Sequence, residues 1–171
     1  MKKDFVMPVL VLGLISLVIG GALAFVNEVT EPVILEAASE RAESAMREII
    51  PEADEFEALD KEGLPNSIKE AYRTTNDAGF IFIATSPGYG GDITIICGID
   101  PSGVIIKTLT LGHSETKGIS DPVFNMQSEY IGKDQNISGI DAISGATISS
   151  NAYKNAVLDA FFAFEAVGRQ P

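Results

Sequence analysis

The feature that most constrains this chain is a long uncharged segment close to its start. Residues 5–27 contain no Asp, Glu, Lys or Arg and are rich in Leu, Val, Ile and Gly. At ~1.5 Å of rise per residue, roughly twenty helical residues cross a hydrocarbon core of ~30 Å. The length therefore predicts a retained transmembrane helix. A cleaved signal peptide is the alternative, since Ala22-Leu23-Ala24 resembles a cleavage site, although the apolar part of a signal peptide spans only ~7–15 residues.

The charges that flank this segment predict its orientation. Lys2 and Lys3 precede it, whereas Glu28 and Glu31 follow it. Because basic residues beside a membrane helix tend to stay in the cytoplasm, we expect a cytoplasmic N-terminus and an extracytoplasmic domain at the cell membrane. The expected organisation is a cytoplasmic tip and transmembrane helix over 1–28, a juxtamembrane helix over 29–51 and a folded domain over 52–171.

The composition excludes two classes of site. A net charge of −12 would repel the phosphates of a nucleic acid, so we expect no nucleic-acid partner. Cys97 and His113 are the only cysteine and histidine of the chain. They cannot by themselves supply the ligands of an iron–sulfur or zinc site, and no metal site is predicted.

The residues after the uncharged segment have the pattern of an α+β fold. A helix is predicted over 30–50, with Thr30 as its cap and Pro51 as the residue that terminates it, and it is expected to pack on the domain or on a partner. The acidic stretch 52–67 is expected to form loops with one short strand. Closely spaced strands joined by turns then predict an antiparallel sheet; the predicted strands are 69–75, 80–85, 92–99 and 104–111.

Two helices are predicted after the strands, a short one over 121–130 and a longer one over 148–167. The longer helix has a broad apolar face that is expected to cover the sheet. Its predicted members are Ile148, Ala152, Tyr153, Ala156, Val157, Ala160, Phe161 and Phe164.

The run Asp141-Ala142-Ile143-Ser144-Gly145-Ala146-Thr147 lies directly before the longer helix. Gly145 and Ala146 have almost no side chain, so a large ligand can approach the backbone closely there. Thr147 places a hydroxyl beside the first free N–H groups of the helix, which favour a phosphate. An ordinary helix cap built from Ser, Gly and Thr is the alternative interpretation of such a short run.

The run resembles the Asp-x-x-Ser/Thr-Gly-Ala-Thr signature of proteins that carry FMN as a phosphoester on the threonine. Two other segments support the resemblance, Gly88-Tyr89-Gly90-Gly91 and His113-Ser114-Glu115-Thr116-Lys117-Gly118. Together with the N-terminal span, they occur in the order typical of one FMN-binding domain family. That family includes the G-type subunit of the Rnf ion-translocating ferredoxin:NAD oxidoreductase and the C-type subunit of the sodium-pumping NADH:quinone reductase.

The resemblance implies a cofactor and the residues that hold it. FMN would be attached to Thr147 by a separate, magnesium-dependent flavin transferase, and no catalytic residue is implied. Lys117 stands where the family usually has proline, and Ile119 and Ser120 stand where Leu and Gly are common. The other implied cofactor-binding residues are Asp141, Ser144, Gly145, Ala146, Tyr89, Gly90, His113, Glu115, Thr116 and Gly118.

The short length favours the Rnf type within this family. The resemblance then implies a membrane-anchored electron carrier that acts as an enzyme only within a multisubunit translocase, with the other membrane subunits as partners. Three alternatives stay open: a component like the C-type subunit of the quinone reductase, an exported flavin reductase, and an assembly module without a cofactor.

Overall fold

The computed structural model describes residues 2–168, with side chains from residue 6 onward. The chain divides into two compact units, Met1–Glu40 and Arg41–Pro171. The first helix, α1 (Lys2–Ile49), contributes residues to both. The side chains of Lys2 and Lys3, on which the predicted orientation depends, lie outside the described residues.

The first unit consists of the N-terminal part of α1. Its apolar side chains from Val6 to Leu35 are largely exposed to solvent. Among the described residues, α1 is the one helix whose length and composition would let it cross a membrane, with a mean hydropathy of 2.7 in its most apolar window. By length and composition, α1 is therefore able to cross a membrane at the place where the sequence predicts a span.

The separate helix predicted to begin at Thr30 is wrong as an element, because α1 continues through this position without a break. The Thr30 hydroxyl donates a hydrogen bond to the carbonyl of Val26, one turn earlier, and so does not cap a new helix. Pro32 lies inside α1. A Thr followed by Pro is typical of a helix start, but this pair is accommodated within one helix. The domain boundaries proposed from the sequence stay a prediction.

A five-stranded antiparallel sheet forms the centre of the second unit. Its strand order follows the chain, so each strand pairs with the next. The four predicted strands are present with ends that differ from the predicted ones by at most two residues, and the predicted short strand is β1. The strands are β1 (Phe56–Ala58), β2 (Ile68–Thr74), β3 (Phe80–Pro87), β4 (Asp92–Ile99) and β5 (Ile105–Gly112). The α+β fold class is confirmed.

Three helical segments follow the sheet in the described part of the chain. The predicted helix over 121–130 divides into α2 (Asp121–Asn125) and a 3₁₀ helix (Met126–Tyr130), and the last helix is α3 (Thr147–Gly168). The predicted apolar face of α3 covers one face of the sheet, with six of its members buried: Ala152, Tyr153, Ala156, Val157, Ala160 and Phe161. Phe164 is partly buried against the same core. The prediction is wrong for Ile148, because its side chain is 54 % exposed.

The end of α1 covers the other face of the sheet. Met46 and Ile49 are buried there with Ile81 and Ile96 of the central strands. A side chain at Gly98 would place its Cβ 2.2 Å from the Cγ2 atom of Ile49, so this glycine allows the helix to pack closely on β4. Both faces of the central strands are therefore covered. Since β3 and β5 are each antiparallel to β4, they run in the same direction, and the loops that follow them lie at the same end of the sheet.

Candidate functional site

A tight turn leads into α3 at the predicted attachment motif. The Ala146 N–H donates a hydrogen bond to the Ile143 carbonyl at 3.0 Å, which closes the turn. Gly145, the third residue of the turn, has a φ of +84°. This is the left-handed region that a turn of this kind requires at its third position and that glycine adopts without strain. The glycine of the motif therefore has a backbone function.

Ser150 fastens this turn to the first turn of α3. Its buried hydroxyl donates to the Ala146 carbonyl at 2.9 Å and accepts a hydrogen bond from the Ile143 N–H at 3.0 Å. The turn is thus held at both ends by one side chain. Thr147, which follows directly, is placed in a fixed position.

Thr147 is the first residue of α3 and is exposed. The Ser150 N–H donates to the Ala146 carbonyl at 2.9 Å, so Ala146 occupies the N-cap position and Thr147 does not cap the helix through its side chain. Within the described part of the chain, the N–H groups of Thr147, Ile148 and Ser149 make no hydrogen bond. The exposed hydroxyl therefore lies beside three free donors at the positive end of the helix dipole.

The glycine-rich turn between β3 and β4 packs tightly against the segment that follows β5. A Cβ at Gly90 would lie 2.4 Å from the carbonyl oxygen of Ser114. One at Gly88 would lie 2.3 Å from Oε1 of Glu115. Neither position has room for a side chain, so the glycines permit close contact between two segments distant in sequence.

Glu115 joins these two segments to α3. Its side chain is only 7 % exposed. The Gly90 N–H donates to its Oε1 atom at 2.9 Å, and the Ser149 hydroxyl donates to Oε2. Burial by itself would raise the pKa of the Glu115 carboxyl. The hydrogen bond from Ser149, those from the backbone of Gly90 and Tyr89, and the nearby His113 together outweigh it, and the pKa is lowered. The buried carboxylate is therefore ionised at neutral pH.

The residues on either side of Glu115 have structural partners. His113 is exposed, its ring stacks on Phe124 with centroids 4.0 Å apart, and its Nδ1 atom accepts the Glu115 N–H at 3.3 Å. Gly118 has a φ of +84° in the next turn, and its N–H donates to Asp121 at 3.0 Å. Both residues shape the segment from outside the cavity described next.

A cavity of about 440 Å³ lies where the three segments meet, beside Thr147. This volume is in the range of small-molecule sites, which combine apolar walls with a few polar groups. Three large side chains in its walls are more than half exposed: Tyr89 at 75 %, Ile119 at 56 % and Ile148 at 54 %. The complete lining is Tyr89, Glu115, Thr116, Ile119, Ser120, Gly145, Ala146, Thr147, Ile148 and Ser149.

Six of the residues predicted for the site line this cavity: Tyr89, Glu115, Thr116, Gly145, Ala146 and Thr147. The others contribute in different ways or lie apart. Gly90 binds Glu115 from behind the wall, whereas Ser144, His113 and Gly118 are exposed outside the lining. Asp141 is exposed and lies in a second, polar cavity of about 180 Å³ with Tyr130, Ser150, Asn151 and Lys154.

Sequence reasoning missed four lining residues. Ile119 and Ser120 follow the Glu-Thr segment in a turn that is closed by the Ser120 hydroxyl, which donates to the Thr116 carbonyl at 2.7 Å. Ile148 and Ser149 are the two residues after Thr147. The one sequence signal for these four residues was that each follows a predicted motif. Proximity in sequence does not show whether a side chain faces the cavity, because that depends on how the chain folds.

Comparison with known proteins agrees with this geometry. Residues 88–161, which include the glycine-rich turn, Glu115 and Thr147, match the family model described as the FMN-binding domain. The match begins and ends within the second unit. It spans every segment that lines the cavity.

Relatives extend the similarity over most of the chain. The G-type subunit of an ion-translocating oxidoreductase complex from Shewanella piezotolerans is 27 % identical over 92 % of this chain and 88 % of its own length. Its counterpart in a proton-translocating ferredoxin:NAD⁺ oxidoreductase complex from Clostridium ljungdahlii is 28 % identical, covering 82 % and 81 %. The counterpart in a Na⁺-translocating ferredoxin:NAD⁺ oxidoreductase complex from Acetobacterium woodii is 27 % identical, covering 86 % of each.

The resemblance seen in the sequence motifs is confirmed: the chain contains an FMN-binding domain and is a relative, along most of its length, of the G-type subunits of the ion-translocating oxidoreductase complexes.

Proposed function

We propose that this chain is a membrane-anchored electron-transfer subunit of an Rnf-type ion-translocating oxidoreductase complex, and that it carries FMN covalently on Thr147. The observation that carries the proposal is the position of Thr147, an exposed hydroxyl between three free helix N–H groups and an apolar-walled cavity. FMN has the matching parts, an anionic phosphate and a broad aromatic ring system with an apolar dimethylbenzene edge.

The described residues fit this cofactor at both ends. The N–H groups at the start of α3 would stabilise the phosphate charge by ~0.3–1 kcal/mol. Tyr89, Ile119 and Ile148 offer exposed apolar surface to the ring. The flavin supplies one-electron and two-electron redox chemistry. The chain needs only to bind, orient and surround it, so by itself it is an electron carrier.

Attachment needs an enzyme from outside the chain. In the reaction, a bond forms between Oγ of Thr147 and the FMN phosphorus of FAD, the bond to the AMP portion breaks, the hydroxyl proton is removed and AMP leaves. Among the described cavity-lining residues, Glu115 is the only carboxylate or imidazole, and its oxygens already accept hydrogen bonds from Gly90 and Ser149. A flavin transferase would therefore supply the base.

Asp141 is suited to recognition by this enzyme. It is exposed, it lies outside the cavity proposed for the ring, and it shares the polar cavity with Lys154. Asn151 of the same cavity is four residues after Thr147 and so lies on the same face of α3. An enzyme that reaches Thr147 can contact these polar groups without displacing the flavin ring.

The experiment that tests the proposal is flavin attachment in the presence of a flavin transferase, Mg²⁺ and FAD. It is read by in-gel fluorescence after denaturing electrophoresis and by intact mass. Thr147→Ala should abolish the adduct and Thr147→Ser should retain part of it, because a hydroxyl remains. Since the Thr147 side chain makes no hydrogen bond with the described residues and is exposed, its substitution should change the free energy of unfolding by no more than about 0.5 kcal/mol.

Two further variants sharpen this experiment. Thr75→Ala removes an exposed threonine that does not line the cavity and should leave the adduct intact. Asp141→Asn should slow attachment while the fold is kept. An unchanged adduct in Thr147→Ala would contradict the covalent assignment, and an unchanged rate in Asp141→Asn would contradict the recognition role.

The proposed location is the cell membrane, with α1 as a single span and the FMN-binding domain on the extracytoplasmic side. The length and hydropathy of α1 support the span, and the lysines before it support the orientation. The other membrane subunits of the complex are the proposed partners.

A further inference from the structure

We propose that Glu115 acts as a fixed negative charge against the bound flavin and lowers its reduction potential. This inference rests on the proposed function, since it concerns a flavin held in the cavity beside Thr147. It assigns to Glu115 a role in setting the energy of the transferred electrons, in addition to its place in the cavity wall.

The position of the carboxylate is fixed by bonds from two other segments. Its Oε1 atom accepts the Gly90 N–H at 2.9 Å from the glycine-rich turn. Its Oε2 atom accepts the Ser149 hydroxyl from the first turn of α3. The side chain is almost completely buried, and its remaining surface lines the cavity. The charge therefore cannot move away from a ligand there.

No cation in the cavity wall offsets this charge. Of the cavity-lining residues in the described part of the chain, Glu115 is the only one with an ionised side chain at neutral pH. Lys117 and His113 are close in sequence, and the charge of His113 favours the ionised carboxylate, but both side chains are exposed and neither lines the cavity. The hydrogen bonds to the carboxylate lower the pKa of Glu115, so the group is charged at neutral pH.

A fixed negative charge disfavours the addition of electrons nearby. In the reduction, two electrons come from the chemical reductant or from the complex, and protons come from solvent. Any negative charge that stays on the reduced ring is repelled by the carboxylate, and this repulsion is weakly screened because the group is buried. The reduced form is destabilised relative to the oxidised form, which lowers the midpoint potential.

The test is a redox titration of the full-length, flavin-loaded protein, followed by flavin absorbance. Glu115→Gln removes the charge and keeps the shape of the side chain. We expect the ratio of reduced to oxidised flavin at a given potential to rise about tenfold, which is ~30 mV for a two-electron couple. Glu129→Gln is the matched control, because Glu129 is exposed and absent from the cavity lining, and its potential should equal the wild type.

Ser149→Ala separates the charge from a general loosening of the site, and it serves even if Glu115→Gln does not fold. It removes one donor from the carboxylate and leaves the charge in place, now less neutralised. We expect its midpoint potential to fall. A fall, together with a rise in any folded Glu115→Gln, supports the assignment.

The contrary outcomes are distinct. An unchanged or lowered potential in Glu115→Gln, or an unchanged or raised one in Ser149→Ala, overturns the role of Glu115 and leaves the proposed function standing. A wild-type protein that acquires no flavin from the transferase and FAD contradicts the proposed function itself.

Discussion

The packing of the glycine-rich turn can be tested by adding a single methyl group at Gly90. In Gly90→Ala the new Cβ would lie 2.4 Å from the Ser114 carbonyl oxygen and 3.1 Å from the Ser114 carbonyl carbon. Both atoms belong to the backbone and cannot rotate away. Ordinary van der Waals contact begins at 3.4 Å, so the turn would have to retreat by about 1 Å.

The retreat has a second cost. It would lengthen the 2.9 Å hydrogen bond from the Gly90 N–H to Glu115 beyond the range of about 3.2 Å in which such bonds form. Overpacking costs about 1–3 kcal/mol and a hydrogen bond to a charged group about 1.5–3 kcal/mol. Because the same movement relieves the clash and breaks the hydrogen bond, the two costs do not add in full. We expect the free energy of unfolding to fall by about 2–4 kcal/mol, which lowers Tm by about 10 °C.

The chain offers its own probe for this measurement. Cys97 is the only cysteine and is fully buried in β4, and burial raises the pKa of its thiol to about 12. In the folded protein the thiol is therefore inaccessible and protonated, and a thiol-reactive fluorophore labels it only when the sheet opens. Labelling during a thermal ramp of the full-length protein in detergent reports unfolding of the second unit.

Gly112→Ala is the matched control, because a Cβ there meets no atom within 4 Å and its backbone needs no positive φ. It should unfold at the wild-type temperature. If Gly90→Ala also unfolds at that temperature, the turn does not press on the segment after β5, and the close packing assigned to this cavity wall is wrong.

Two other predictions follow from charged residues of the chain. Since the pKa of Glu115 is lowered in the folded state, the unfolded chain binds the proton first as the pH falls, and the free energy of unfolding should decline below about pH 4.5 towards the folded pKa. The decline should be shallower in Glu115→Gln. If the free energies of unfolding from urea titrations fall equally with pH in the two proteins, the linkage is refuted. Protease added to spheroplasts should release the domain that follows residue 27, whereas inside-out vesicles should protect it, and the opposite pattern would reverse the proposed orientation.

Local patterns in the sequence were sufficient for most elements of the fold. The uncharged run at 5–27 predicts a helix of membrane length, and the closely spaced apolar strands predict the antiparallel sheet. The Gly-Ala-Thr run predicts a helix start with an exposed hydroxyl. These features depend on a residue and its near neighbours, and hydrophobic periodicity and turn chemistry record them directly.

The same patterns failed where the local sequence fits two different structures equally well. Thr30 followed by Pro32 is compatible with a helix start, yet the Thr30 hydroxyl bonds to its own helix and α1 continues. Ile148 fits the apolar periodicity of α3, yet it lies one residue after Thr147 at the open end of the helix, where no strand covers it. In both cases, the decision depends on what surrounds the residue.

The site itself was decided by tertiary structure. The sequence places Glu115 in a motif, but its partners are Gly90, 25 residues earlier, and Ser149, 34 residues later. Only the pairing of β3, β4 and β5 and the packing of α3 on the sheet bring these three segments together. A buried carboxylate is stable only where donors converge on it, and the convergence of distant donors is a property of the folded chain that no local pattern encodes.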